Sequence, residues 1–259
     1  MDKQLFQHGY SEVNGIKMYY EIYGQGEPIV LLHGGGSTIG SCFGRIIPLL
    51  AAHFKVIAPA LQNHGRSGFR DIPETFSQDA KDVLTLLKNL RIAQANFFGF
   101  SNGGTTALLI AIHHPEIVNK LVVASAVYKR SGLMPGFFDM MKKTTISQMP
   151  PELKAAFLKV NPDTTKLQVM FEKDRARMVD FKDINEEQIK SITQPTLIIS
   201  ADKDVVRPEH AIELYRLIPN AHLTIFPGLH GEYIGEITTI QSKPETYKYD
   251  MPVIMDFLK

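Results

Sequence analysis

Residues Phe97–Gly104 read FFGFSNGG. An apolar run stops at a serine with small residues close by on both sides, and a second apolar stretch begins at once. Bulky apolar residues in short unbroken runs mark strands buried on both faces. A polar, nucleophilic side chain at the end of such a run, where strand turns into helix, is presented at the bend. The strand-to-helix turn strains the serine backbone and brings neighbouring backbone close, so the flanking positions tolerate little beyond glycine. The helix beginning there adds its N–H groups and positive dipole end, which favour an oxyanion. The short pattern GFSNG alone is a weak signal; between an apolar strand and an apolar helix it becomes a strong one.

The rest of the chain repeats the alternation. SEVNGIKMYY predicts two strands around Asn14-Gly15, a dipeptide suited to a tight hairpin. Pro28–Gly34, Phe54–Ala60, the run IVNKLVVASA, Pro195–Ala201 and His222–Gly228 predict further strands. Helices are expected over Arg45–Ala52, Phe76–Leu90, Asn102–His113, Glu209–Leu217 and the closing YDMPVIMDFLK. Strands alternating with helices imply a mostly parallel sheet, antiparallel only at its start. From Tyr128 to Ile192 the rhythm breaks into short helices punctuated by Pro135, Pro150, Pro151 and Pro162, with six of the ten methionines. This stretch reads as a helical lid, residues 128–192, on a core formed by 1–127 and 193–259. Unbranched, polarizable methionines suit an adaptable apolar pocket.

Composition narrows the classes. A net charge of +1 over 259 residues gives no reason to expect nucleic acid or an anionic membrane as partner. One cysteine, Cys42, permits no intramolecular disulfide, and no Cys/His cluster suggests zinc. No apolar run approaches the roughly 18 residues a membrane span needs, and the first residues carry no apolar signal region. A cytoplasmic protein without metal or organic cofactor is expected.

A second glycine-rich turn, LLHGGGST (Leu31–Thr38), follows another buried strand and offers backbone N–H groups to an oxyanion. It lacks the lysine of a phosphate-binding loop. His33 reads as a structural hydrogen-bonding residue. A serine nucleophile needs a base, and the base an orienting carboxylate. Asp202 and Asp204 both lie just beyond a late strand, in ADKD. Of the nine histidines, His230, and less well His64, lies in a loop beyond a strand's carboxyl end, where open α/β sheets build their sites. His230 is the expected base.

The ordered set HGGG, PALQNHGRSG, GFSNGG, ADKDVVRPEH and PGLHGEYIGE resembles the α/β-hydrolase superfamily over almost the whole chain. The resemblance implies an α/β-hydrolase fold, with about eight mostly parallel strands flanked by helices and a helical lid. It implies Ser101 as nucleophile, Asp204 as acid and His230 as base, with Asp202 as a turn residue. The oxyanion donors would be the backbone N–H groups of Gly35 and Asn102. Asn102 itself would cap the following helix. Gly34, Gly36, Met134, Phe138 and Met141 are expected to touch substrate. Ala60 replaces the family's usual aspartate, QNHGRSG its more common RGHGRSG, and PGLHG is one residue shorter than its frequent histidine turn. The implied activity is hydrolysis of small to medium carboxylic esters or related acyl compounds. Carbon–carbon bond hydrolysis of the meta-cleavage type, perhydrolysis, and ligand binding without turnover are the alternatives. Glu152, Glu172, Asp174 and Asp180 read as solvated helix faces, so the lid offers no acidic anchor for a free amino terminus. The partner is a small-molecule acyl substrate; the lid and the closing helix are where a second copy would pack in a homodimer.

Overall fold

The computed structural model describes residues 5–240 and 245–259. In chain order its elements begin with β1 (Leu5–Val13), β2 (Ile16–Tyr23), β3 (Glu27–Leu32), α1 (Ile39–Phe43) and α2 (Ile47–Ala51). Then come β4 (Phe54–Pro59), α3 (Phe76–Asn89), β5 (Ala95–Phe100), α4 (Asn102–His113) and β6 (Val118–Ala124). The chain next leaves the sheet for α5 (Phe137–Lys143), α6 (Pro151–Val160), α7 (Thr164–Val179) and α8 (Glu186–Lys190). It returns through β7 (Thr196–Lys203), α9 (Pro208–Leu217), β8 (Ala221–Leu229) and α10 (Tyr247–Leu258).

The described strands form one eight-stranded sheet in the order β1-β2-β4-β3-β5-β6-β7-β8. The β1–β2 hairpin and the β2–β4 pair are antiparallel. Every other pairing is parallel. Asn14 and Gly15 both take positive φ at the hairpin, as its tight turn requires. The strands from β3 to β7 are apolar on both faces because helices cover both. One face packs Val30, Leu32, Phe97, Leu121 and Ile198 beneath α3, α4 and α9. The other packs Ile29, Leu31, Phe98, Val122 and Ile199 beneath α1, α2 and α10. Ile189 and Ile192 belong to the first of these cores. Helix α1 is absent from the sequence expectations, being only five residues long. Residues 241–244 lie outside the described residues, while Tyr233, Ile234 and Tyr247 on either side of them are buried in the second core.

The turn between β5 and α4 leaves no room between strand and helix. Ser101 sits between them at φ 54° and ψ −122°, a strained conformation for a residue with a side chain. A Cβ on Gly99 would be driven into the Gly103 carbonyl, and one on Gly103 into the Leu32 carbonyl. The start of α4 therefore lies backbone-on-backbone against β5 and β3. Gly103→Ala should cost about 3 kcal/mol or more, lowering the melting temperature by roughly 6–12 °C for a chain of this size. Thermal unfolding of the variant beside wild type measures this; an unchanged melting temperature would contradict the close approach.

Candidate active site

Ser101, Asn102, Gly35 and His230, contributed by three separate loops, line one cavity of about 310 Å³. They meet because β3, β5, β7 and β8 all end at the same edge of the parallel sheet. Ser101 is carried by the β5–α4 turn, Gly35 and Gly36 by the loop after β3, and His230 by the turn after β8. Gly228 and Gly231, both at positive φ, bracket His230 and let the short PGLHG turn deliver it directly from the strand.

Asp204 stands behind His230, with Oδ1 accepting from Nδ1 at 2.6 Å. Its side chain is fully buried. Its Oδ2 accepts from the Ser125 hydroxyl, and Oδ1 also accepts from the Val206 N–H at 3.0 Å. The Ser125 and Tyr233 hydroxyls are hydrogen-bonded at 2.6 Å, extending the chain away from the cavity. Burial alone would raise the Asp204 carboxyl, but His230 and the Ser125 and Val206 donors hold it below its ordinary range. Burial likewise opposes charge on His230, yet Asp204, aided by Glu236, raises its pKa above that of an ordinary histidine. Asp202 accepts the Gly228 N–H at 2.7 Å, bracing the histidine turn rather than the histidine. Of the two aspartates, Asp204 is the one in contact with His230.

Among the described residues no hydrogen bond claims the N–H of Gly35 or of Asn102. Both are available at the cavity. The Asn102 side chain does not cap α4: the helix has no side-chain cap, and the amide lies beside Gly35, where an added Cβ would stand 2.6 Å from Nδ2. His33 is structural, as expected. Its Nδ1 donates to the Gly34 carbonyl at 2.8 Å and its Nε2 accepts from Leu61 N–H at 3.0 Å. That pattern is a neutral imidazole, and burial pushes its pKa down to about 3.

The remaining wall is largely apolar and comes mainly from the excursion. Met141, Met149, Met170 and Met178 line it with Phe137, Leu153 and Phe171. Gly36 also lines it. The structure sets Gly34, Met134 and Phe138 off this wall. Gly34 is packed behind Ser101, Met134 is 43% exposed, and the Phe138 ring lies under the Arg130 guanidinium at 3.5 Å. The helical phase of α5 turns Phe137 and Met141 inward instead.

Asp174 corrects the expectation of a solvated face. It is 7% exposed and lines the cavity from α7. Its oxygens meet the Arg177 guanidinium, His64 Nε2 at 2.9 Å and the Gly36 N–H. Arg177 also pairs with Glu74 at 2.8 Å and Asp79 at 2.6 Å. His64 Nδ1 lies 2.8 Å from the Gln62 carbonyl, so both ring nitrogens donate and the ring is charged. Burial works against that charge, but Asp174 and Glu74 together push the His64 pKa up to about 9. The sequence did carry a trace of this cluster. On α7, Leu167, Met170, Asp174 and Arg177 or Met178 follow helical spacing, so two charges occupy positions that spacing gives to the core.

Among the described residues no group of three or more His, Cys, Asp or Glu is arranged to hold a metal ion. None of the described helices is long and apolar enough to cross a membrane.

The family model for the alpha/beta hydrolase fold matches residues 27–149, from β3 through the β5–α4 turn into the excursion. This chain has the α/β-hydrolase fold. It is 28% identical to human serine hydrolase BPHL over 242 residues, 86% of this chain and 79% of that one. It is 27% identical to the 2-hydroxymuconate semialdehyde hydrolase of a Pseudomonas strain, over 82% of this chain and 83% of the other. Among solved structures it shares its fold with an enol-lactonase from Burkholderia xenovorans (TM-score 0.73, 24% identity, 96% and 99% of the two chains). The meta-cleavage product hydrolase of Pseudomonas fluorescens superposes at a TM-score of 0.77, with 21% identity over 98% and 97%.

Two measurements follow from the charges around the site. A base must be neutral to accept a proton, so kcat/KM should rise with pH through one ionisation lying above the ordinary histidine value. Asp204→Asn should move that ionisation down and cut kcat by about 10⁴-fold; a pH profile of each protein checks both. His64, whose folded pKa of about 9 exceeds its unfolded value, stabilises the fold fully below about pH 6.5. That contribution, on the order of 2–3 kcal/mol, is lost as pH rises through 9. Urea titrations of wild type and His64→Gln should converge in stability over that window.

Proposed function

We propose that this hydrolase cleaves small to medium carboxylic esters or related acyl compounds through Ser101, His230 and Asp204. The contact that carries the reading is His230 Nδ1 on the buried Asp204 carboxylate, with the ring in the same cavity as the strained Ser101. Asp204 holds the Nδ1–H tautomer, leaving Nε2 to take the Ser101 proton as Oγ attacks a carbonyl carbon. The tetrahedral oxyanion settles between the Gly35 and Asn102 N–H groups, each typically worth about 3–4 kcal/mol when removed. His230 returns the proton to the leaving alcohol, then activates the water that releases the acid from Ser101. A methionine-rich wall supports an apolar acyl group of moderate size.

A second reading, carbon–carbon bond hydrolysis of a dienoic acid, has one specific observation behind it. Arg175 lines the cavity and has no carboxylate within ion-pair distance among the described residues, whereas Arg177 is engaged by three. Arg175 Nη1 donates to the Lys142 carbonyl at 3.3 Å, and a guanidinium with no carboxylate partner suits a carboxylate-bearing substrate. The names of the meta-cleavage relatives point the same way.

The deciding assay is kcat/KM over p-nitrophenyl esters of rising acyl length, with Ser101→Ala as the blank. A clear length optimum is expected, with the blank at least about 10⁴-fold slower. A trace matching the blank would sink the ester reading. If a 2-hydroxy-6-oxo-dienoate is then cleaved, and Arg175→Gln raises its KM, the second reading holds.

A further inference from the structure

The loop after β3 must present the Gly35 N–H to an oxyanion. His33 Nδ1 fixes the peptide that carries this N–H at its Gly34 carbonyl, 2.8 Å away. Beyond that peptide the loop's own bonds are long: the Ser37 N–H reaches the Gly34 carbonyl at 3.4 Å and the Ser37 hydroxyl the Gly35 carbonyl at 3.5 Å. Gly36 takes φ 66°, a conformation that glycine adopts without cost and that therefore does not fix itself. The peptide between Gly35 and Gly36 is held from the opposite side, by Asp174 of α7 accepting the Gly36 N–H. The same carboxylate packs on Gly35 itself, where an added Cβ would stand 3.0 Å from Oδ2.

Asp174 is in turn immobilised. Arg177 takes one oxygen and His64 the other, and Arg177 is anchored in the core by Glu74 and Asp79. Both oxygens being engaged, Asp174 has little capacity left to bind substrate. A bare carboxylate this near an oxyanion would oppose its formation. Paired to two cations, it presents to the loop an acceptor without an uncompensated charge.

We propose that Asp174 is a positioning residue for the oxyanion hole: by fixing the Gly35–Gly36 peptide it makes helix α7 part of the hole. The proposal rests on the serine hydrolase reading above. Asp174 acts through Gly36 and does not touch the reacting atoms. Losing an interaction that aims a donor at the transition state alone lowers kcat and leaves substrate affinity nearly unchanged.

The test uses the whole enzyme with two probes matched in shape. An aryl trifluoromethyl ketone adds Ser101 Oγ to its carbonyl, giving a tetrahedral oxyanion; the corresponding secondary alcohol fills the cavity and cannot. Asp174→Ala should lower kcat for a p-nitrophenyl ester about 30- to 100-fold with KM within threefold. Ketone affinity should fall by the same factor and alcohol affinity stay within threefold. Asp174→Asn, which keeps an acceptor for Gly36, should recover most of the loss. Should the alanine variant not fold, Asp174→Ser takes its place and the ketone-to-alcohol affinity ratio is the readout. Equal loss for ketone and alcohol, or a kcat within twofold of wild type, would overturn the proposal. If wild type itself forms no Ser101 adduct with the ketone and turns over no ester, the hydrolase reading falls and this one with it. Wild-type turnover beside an indifferent alanine variant removes the positioning role alone.

Discussion

The site depends on a contact without side chains. The first turn of α4 rests on the ends of β3 and β5 with the Gly103 backbone against the Leu32 carbonyl. That closeness forces Ser101 into φ 54°, lifts its hydroxyl out of the sheet edge, and points the new helix's N–H groups at the same place. The adjacent loop is brought within reach by the same contact, because it leaves β3 immediately after Leu32. Strain at one residue is sustained because the surrounding apolar core, buried on both faces of the sheet, over-determines it.

Polar groups in this interior are organised in two chains that meet at the cavity. One runs from Tyr233 through Ser125 to Asp204 and His230, and governs the protonation of the His230 ring. The other runs from Glu74 and Asp79 through Arg177 to Asp174, His64 and Gly36. A buried ion pair contributes little net stability over an apolar pair, yet losing one partner is costly. The second chain is better understood as specifying a single docking of α7 than as a source of stability.

The fold was legible because its signals are local. Apolar runs of six residues give strands wherever both faces are covered, and the elbow glycines report a clash that any side chain would cause. The positions of Ser101 and His230 carried the same local signal, since each directly follows a strand. Asp204 was separable from Asp202 only by resemblance, because two residues apart on one turn they differ in what they face: the histidine or the Gly228 N–H. The cavity wall was the least legible part. Short helices between prolines leave the helical phase free, so Phe137 faces inward where Phe138 was expected. Asp174 was misread because a charge on a helix is usually solvated, and its partner His64, like the Glu74 and Asp79 that hold Arg177, lies about a hundred residues away in sequence.

The ion cluster also distributes freedom of movement unevenly over the roof of the cavity. Lifting α7 would separate Asp174 and Arg177 from His64, Glu74 and Asp79 and leave charges without partners in an apolar setting. Helix α5 is under no such restraint: none of its residues is fully buried, and Phe137 and Met141 are its contribution to the wall. Of these two cavity-lining helices, α5 is therefore the one whose displacement would strand no buried charge.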